Sequence, residues 1–253
     1  MNKKYEAVFM YLLGVSIFIL LWELLSLYFN SAIILPGPVE TGKKLIQIIP
    51  TKHFLTALAA SFARVILSLL FSVPPGIALG LLSALNRRLD FFIRPFFNFI
   101  AATPVMAIIL IIFLWLGAEL TPVFTAFLVV FPVMAANTRQ AARHINAGFL
   151  ELFNAFDMTR KEKLRYLYIP EILPYIKAAL ASSLSLSWKV TVAAEVLVQP
   201  LFSLGSGLQN AKANLETAEL FAWTIATLIA ASLCTALFAV IENHEKHKSP
   251  IHT

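Results

Sequence analysis

Apolar residues along the chain come in long blocks separated by short polar connections, without the alternation that marks half-buried strands. The blocks fall at about 8–29, 61–85, 92–116, 121–136, 172–198 and 220–241. Helices of roughly 20 apolar residues cross a bilayer, so the pattern predicts six spans. Turn chemistry punctuates them. Pro36-Gly37-Pro38 stops the first, and Gly117-Ala118-Glu119 separates the third from the fourth. Pro74-Pro75-Gly76, Thr103-Pro104, Pro122 and Pro132 fall inside apolar blocks, where neighbouring membrane helices can satisfy the freed backbone groups. Between the first two spans, Leu45, Ile46, Ile48 and Ile49 predict a short amphipathic helix on the outer surface.

Composition agrees with a polytopic membrane protein. Hydrophobic residues make up 59% of the chain and charged ones 13%, against about 25% charged in soluble domains. The net charge of +6 would suggest nucleic acid in a soluble protein, but its distribution does not. Lys3, Lys4, Arg87, Arg88, Arg94, Arg139, Arg143, Arg160, Lys161, Lys163, Arg165, Lys246 and Lys248 lie on one side of a six-span layout. The other side holds Lys43, Lys44, Lys52 and Lys212. The positive-inside rule then places both termini and the 137–171 connection in the cytoplasm. The layout divides the chain into 1–56 (first span and external connection), 57–241 (transmembrane domain) and 242–253 (cytoplasmic basic tail). Cys234 is the only cysteine, so no intrachain disulfide forms, and its apolar surroundings predict a buried, inert thiol.

The stretch that carries a function is 151–175, ELFNAFDMTRKEKLRYLYIPEILPY, the longest charge-dense segment. Its first part predicts a helix with Leu150, Phe153, Phe156 and Asp157 within two turns. Met158-Thr159 interrupts it, and a second helix over 161–168 puts Leu164, Leu167 and Tyr168 on one face. Pro170 and Pro174 then remove two helix hydrogen bonds and re-aim the chain.

This segment resembles the "EAA" loop of integral-membrane permease subunits of binding-protein-dependent ABC importers. Glu151 takes the acidic position, and Ile169-Pro170-Glu171-Ile172-Leu173-Pro174-Tyr175 the closing double-proline motif. Phe153 stands where the family expects alanine, and Asp157 where it expects glycine. The nitrate/sulfonate/taurine branch is also similar in Leu35-Pro36-Gly37-Pro38, Ser61-Phe62-Ala63-Arg64, Trp115-Leu116-Gly117, Phe131-Pro132, Asn137-Thr138, Trp188 with Ala194-Glu195, and Gly205-Ser206-Gly207-Leu208. The resemblance implies an all-α, type-I importer-like permease that hydrolyses nothing itself. Its loop would be a coupling helix, with Glu151, Phe153, Phe156, Asp157, Leu164, Pro170 and Pro174 its marked residues. The implied partners are a dimer of cytoplasmic ATPases binding ATP and Mg, a second and identical permease copy, and an extracytoplasmic solute-binding protein. The implied location is a bacterial inner membrane.

Other features carry weaker signals. Ser182, Ser185 and Lys189 in the fifth span are candidate translocation-path residues, weighed against helix packing by small residues and a snorkelling lysine. Glu195, six residues from Lys189, needs a partner of its own, and Arg64 reads as a snorkelling end residue. Gly205-Ser206-Gly207 reads as a flexible external turn. The near-match GPVETGKK at 37–44 is rejected as a phosphate loop, because Lys44 replaces the Mg²⁺-binding hydroxyl and no strand precedes it. His244, His247 and His252 read as part of a basic tail, and no catalytic or metal-binding set appears. A rival class, a self-contained secondary transporter, lacks the expected internal repeat and leaves the long loop without a task.

Overall fold

The computed structural model describes the backbone of residues 3–248 and the side chains of 5–238 and Val240. The basic tail and its histidines, 244, 247 and 252, lie outside the described side chains. Every element is helical: α1 Lys3–Phe29, α2 Pro38–Ile48, α3 Lys52–Leu85, α4 Arg87–Ala102, α5 Val105–Arg143, α6 Ala147–Ala155, α7 Arg160–Lys163, a π-helical turn Leu164–Tyr168, α8 Ile169–Val198, α9 Leu204–Ala213 and α10 Thr217–Lys248. The outside of the bundle is studded with exposed Leu, Ile and Phe, as expected where lipid is the solvent.

Among the described residues four helices, not six, are long and apolar enough to span a membrane: Tyr5–Phe29, Lys52–Leu85, Val105–Arg143 and Thr217–Phe238. The shortfall has local causes. The block expected at 92–116 is cut at Thr103-Pro104 into α4, which is amphipathic, and an apolar limb that opens α5. That limb meets the next at a kink at Gly117, whose φ of 69° lies in a region few L-residues tolerate. The block at 172–198 lies in α8, whose serines, Lys189 and Glu195 dilute its apolarity.

Peripheral α1 is exposed nearly all round. It closes onto the following connection through Trp22, whose Nε1 donates to Pro36 O at 2.9 Å, and Trp22 stacks on Phe221 of α10. The amphipathic α2 forms as expected, started by Pro38 at its first turn. The GPVETGKK stretch is therefore helix rather than loop, and Lys44 pairs with Glu216 (3.5 Å) and Glu219 (3.7 Å). Thr51 caps α3 by accepting from Phe54 N at 3.2 Å.

The centre is α3 laid against α5 and α8. Gly76 and Gly80 make the α3–α5 contact possible, since a Cβ on Gly76 would stand 2.8 Å from Met134 Cβ, and one on Gly80 would overlap Ala135 O. Membrane helices lack a hydrophobic drive to associate, so close approach through small residues is what holds them. Gly205-Ser206-Gly207, expected as a flexible turn, is instead the buried first turn of α9. There Gly205 abuts Glu195 and Gly207 abuts the Trp223 ring. Cys234 is half-buried against the core rather than fully enclosed.

Gly80→Ala should lower the thermal midpoint of the detergent-solubilised protein, corresponding to about 1–3 kcal/mol of overpacking. Gly42→Ala, whose Cβ meets nothing within 4 Å, should leave it unchanged or slightly raised. Equal midpoints for Gly80→Ala and wild type would show that α3 and α5 are not in close contact.

Candidate functional site

Two buried charge clusters hold opposite ends of the bundle. At one end, Glu195 of α8 is fully buried. Ser61 Oγ lies 2.8 Å from both its carboxylate oxygens, Arg64 Nη1 donates to it at 3.0 Å, and Gly205 N at 3.3 Å. Arg64 is 7% exposed and does not snorkel. Its Nη1 also donates to Phe202 O at 2.9 Å, and its Nη2 pairs with Glu119 at the start of the second limb of α5. Ser61 Oγ in turn accepts from Leu204 N at 2.9 Å. One arginine thus ties α3, α5, α8 and the connection into α9.

At the other end, Asp90 of α4 is buried among Arg94 (2.8 Å), Arg139 (2.5 Å) and Arg143 (3.0 Å). This cluster ties the α3–α4 turn to the end of α5.

Immediately after that end, α6 stands as a knob. Asn146 caps it, accepting from Gly148 N at 2.8 Å. Its C-terminus is a Schellman stop: Met158 N donates to Phe153 O at 3.2 Å and Asp157 N to Asn154 O at 3.0 Å. Asp157 occupies the left-handed position with φ 49°, the conformation in which glycine is usual and Asp among the better-tolerated alternatives. A capping box, Thr159 with Glu162, then starts α7, and Lys163 Nζ donates to Asn154 Oδ1 at 2.6 Å across the turn.

The two faces of this knob differ. Leu150 and Phe153 pack inward with Ala141, Ala142, Ile145, Leu167 and Ile172. Phe149, Leu152 and Phe156 point away, Phe156 being 71% exposed. Glu151 is exposed beside them. The expected stripe of Leu164, Leu167 and Tyr168 also faces the body of the protein, with Leu167 buried and the other two half-buried. Pro170 and Pro174 do not break the chain. The helix runs on from Arg160 to Val198 through the π turn, where Ile169 N donates to Leu164 O.

Further along α8, two cavities open. One of about 740 Å³ lies between α8 and α10, lined by Ser185, Trp188, Lys189, Thr227 and Ser232. Ser182 lines a separate, smaller cavity with Asn137, Gln140 and His144 of the α5 end and Tyr175.

The sequence pattern of the family described as the binding-protein-dependent transport system inner membrane component matches residues 76–249. The chain belongs to this family. It is a permease subunit of a binding-protein-dependent ABC importer, broadly of the nitrate/sulfonate/taurine-type branch. The taurine transport system permease protein TauC of Escherichia coli (strain K12) is 28% identical over 78% of this chain and 73% of its own length. The bicarbonate transport system permease protein CmpB of Synechococcus elongatus is 24% identical over 81% and 77%. The formylaminopyrimidine transport permease protein ThiX of Halalkalibacterium halodurans is 27% identical over 69% of each.

Of the permease's residues marked from sequence, Glu151, Phe156 and Asp157 face outward on one knob, and Phe153 and Leu164 face inward. Ser182 sits apart from Ser185 and Lys189, which share one cavity. Phe149 and Leu152 were not marked, although their 149, 152, 156 spacing is an i, i+3, i+7 stripe. The Arg64–Glu195 pair was not foreseen either. The blocks that contain it, Ser61–Arg64, Ala194-Glu195 and Gly205–Leu208, were visible separately.

Arg64→Met strands a buried carboxylate and should destabilise the permease by about 3–5 kcal/mol. Arg64→Met combined with Glu195→Met should recover part of that loss, and Glu119→Gln, which alters the exposed partner, should cost under about 1 kcal/mol. Thermal unfolding in detergent reads all three; a wild-type midpoint for Arg64→Met would make the pair energetically idle.

Proposed function

We propose that this chain forms the translocation path of an ATP-driven solute importer and receives the drive through α6. The observation that carries this reading is the uncovered stripe Phe149, Leu152 and Phe156 on a short helix rigidly stopped at both ends. An amphipathic helix presenting i, i+3, i+7 anchors fits an apolar groove on a partner, here a cytoplasmic ATPase subunit that binds ATP and Mg²⁺. Glu151 and Lys161 set its orientation, and Asp157 shapes the turn behind it.

The reading includes six crossings. The Arg64 cluster and the Asp90 cluster mark opposite ends, and α3, the 118–143 limb and α8 each pass between those ends. Residues 87–116 make the return pass as α4 plus the first limb of α5. Thr217 Oγ1 donates to Ile33 O at 2.7 Å, which brings the end of α1 and the start of α10 to one side. Charge then assigns the Asp90 end, with both termini, to the cytoplasm. Residues 1–56 form a peripheral unit on a 57–241 transport domain, with 242–253 a cytoplasmic tail. A second, identical copy completes the pathway, and a solute-binding protein docks at the Arg64 end. Lys189 with Ser185 faces that pathway; Ser182 lies nearer the cytoplasmic end.

Leu152→Asp with Phe156→Asp should abolish ATP-dependent uptake in vesicles and co-purification of the ATPase while the chain still inserts, and Glu151→Lys should weaken both. Full uptake by the double variant would sink the docking assignment. Lys189→Met should cut uptake at least about tenfold with ATPase assembly intact, since a cation at membrane depth is costly to keep without a task. Unaltered transport would remove Lys189 from the path.

A further inference from the structure

Beside the knob, a cavity of about 820 Å³ lies between the α3–α4 turn and α7. Arg87 and Arg88 line it from one element, Arg160 and Lys163 from the other. None of its described lining residues is acidic. The neighbouring carboxylates are occupied elsewhere, Asp90 by Arg94, Arg139 and Arg143, and Glu162 by Thr159. Arg88 and Arg160 form no ion pair with any described carboxylate, and Arg87 lies over the Phe91 ring at 5.4 Å. Chain segments more than 70 positions apart in sequence thus bring four cations to one hollow. Like charges gathered this way repel unless an anion joins them.

The remaining wall is apolar. Leu82 and Leu85, the last turn of α3, line the cavity and are more than half exposed. They continue onto the exposed faces of α4, where Phe92, Phe96 and Phe99 point outward. A soluble anion would use the cations and leave this wall in water. A phosphodiester carrying acyl chains would use both.

We infer that this cavity binds the headgroup of an anionic diacyl phospholipid, its phosphate held by Arg87, Arg88, Arg160 and Lys163 and its chains laid along Leu82, Leu85 and α4. Guanidinium groups suit such phosphates through paired hydrogen bonds, and basic pockets at the cytoplasmic surface attract anionic lipids. The inference rests on the proposed function only in placing this end at the cytoplasmic membrane surface. A lipid seated there bridges α7 to the α3–α4 turn.

The test uses the purified full chain in neutral phosphatidylcholine micelles, with phosphatidylglycerol titrated in and retained lipid measured by native mass spectrometry. Wild type should show a saturable phosphatidylglycerol adduct that weakens roughly thirtyfold in Arg88→Gln/Arg160→Gln. The adduct should survive in Arg88→Lys/Arg160→Lys, which keeps the charge, and in Lys43→Gln/Lys52→Gln at the other end. Equal adducts in wild type and Arg88→Gln/Arg160→Gln would overturn the assignment. So would displacement of the lipid by excess inorganic phosphate or by a soluble acidic peptide, since either would make this a soluble-anion or protein-docking site. No ATPase is present, so failure here is separate from failure of α6 docking.

Discussion

The constraint on which the rest of the bundle depends is the burial of Glu195 against Arg64. A charge inside a membrane protein costs several kcal/mol unless its partners are complete. Here they are: Glu195 is met by Ser61, Arg64 and Gly205 N, and Arg64 by Glu195, Glu119 and Phe202 O. The arrangement is possible only because Gly205 has no side chain to collide with Glu195. It therefore specifies where α9 begins as well as how α3 and α8 are registered. Lipid supplies no hydrophobic pressure to press helices together, so a directional polar tie fixes register in a way that apolar contacts between these helices would not.

The Asp90 cluster does the corresponding work at the opposite end, and Gly76 and Gly80 close the distance between. Helices α3 and α5 are thus tied at both ends and in close contact between, and α8 joins them at the Arg64 end. The inward face of α6 joins this block through Phe153, Ile145 and Leu167. A force applied to the outward face of α6 meets a body with few places to yield, which is what a coupling element requires.

Much of this was legible as local pattern. The apolar blocks, the amphipathic α2, the turn at Gly117 and the helix break near Met158-Thr159 all follow from periodicity and turn chemistry. So does the tolerance of Asp157 for a left-handed backbone. What local pattern could not reveal was pairing over more than a hundred positions. Arg64 and Glu195 are 131 apart, and an arginine at a helix end reads as snorkelling until its partner is known. Which face of α6 is buried was not readable for a related reason. Leu150, Phe153 and Phe149, Leu152, Phe156 are both regular apolar stripes, and only the position of Ile145 and Ile172 decides which one is buried. The span count suffered from the opposite difficulty, because serines and two ions in α8 lower its apolarity for reasons of packing and pairing.

The prolines show most clearly how the knob relates to the path. From sequence, Pro170 and Pro174 remove two helix hydrogen bonds and re-aim the chain between loop and span. Instead a π turn at Leu164–Tyr168 precedes Pro170 and the helix continues to Val198. A π turn shifts the hydrogen-bond register by one residue, and here it lies directly before Pro170, whose missing N–H would otherwise leave a hydrogen bond of a regular ladder unmade. Residues 160 to 198 can therefore act as one lever, with α7 at one end and Lys189 and Glu195 toward the other. Under the proposed docking, movement of the knob reaches the path through this helix directly, and the buried Arg64–Glu195 pair is the fulcrum that keeps its far end in place.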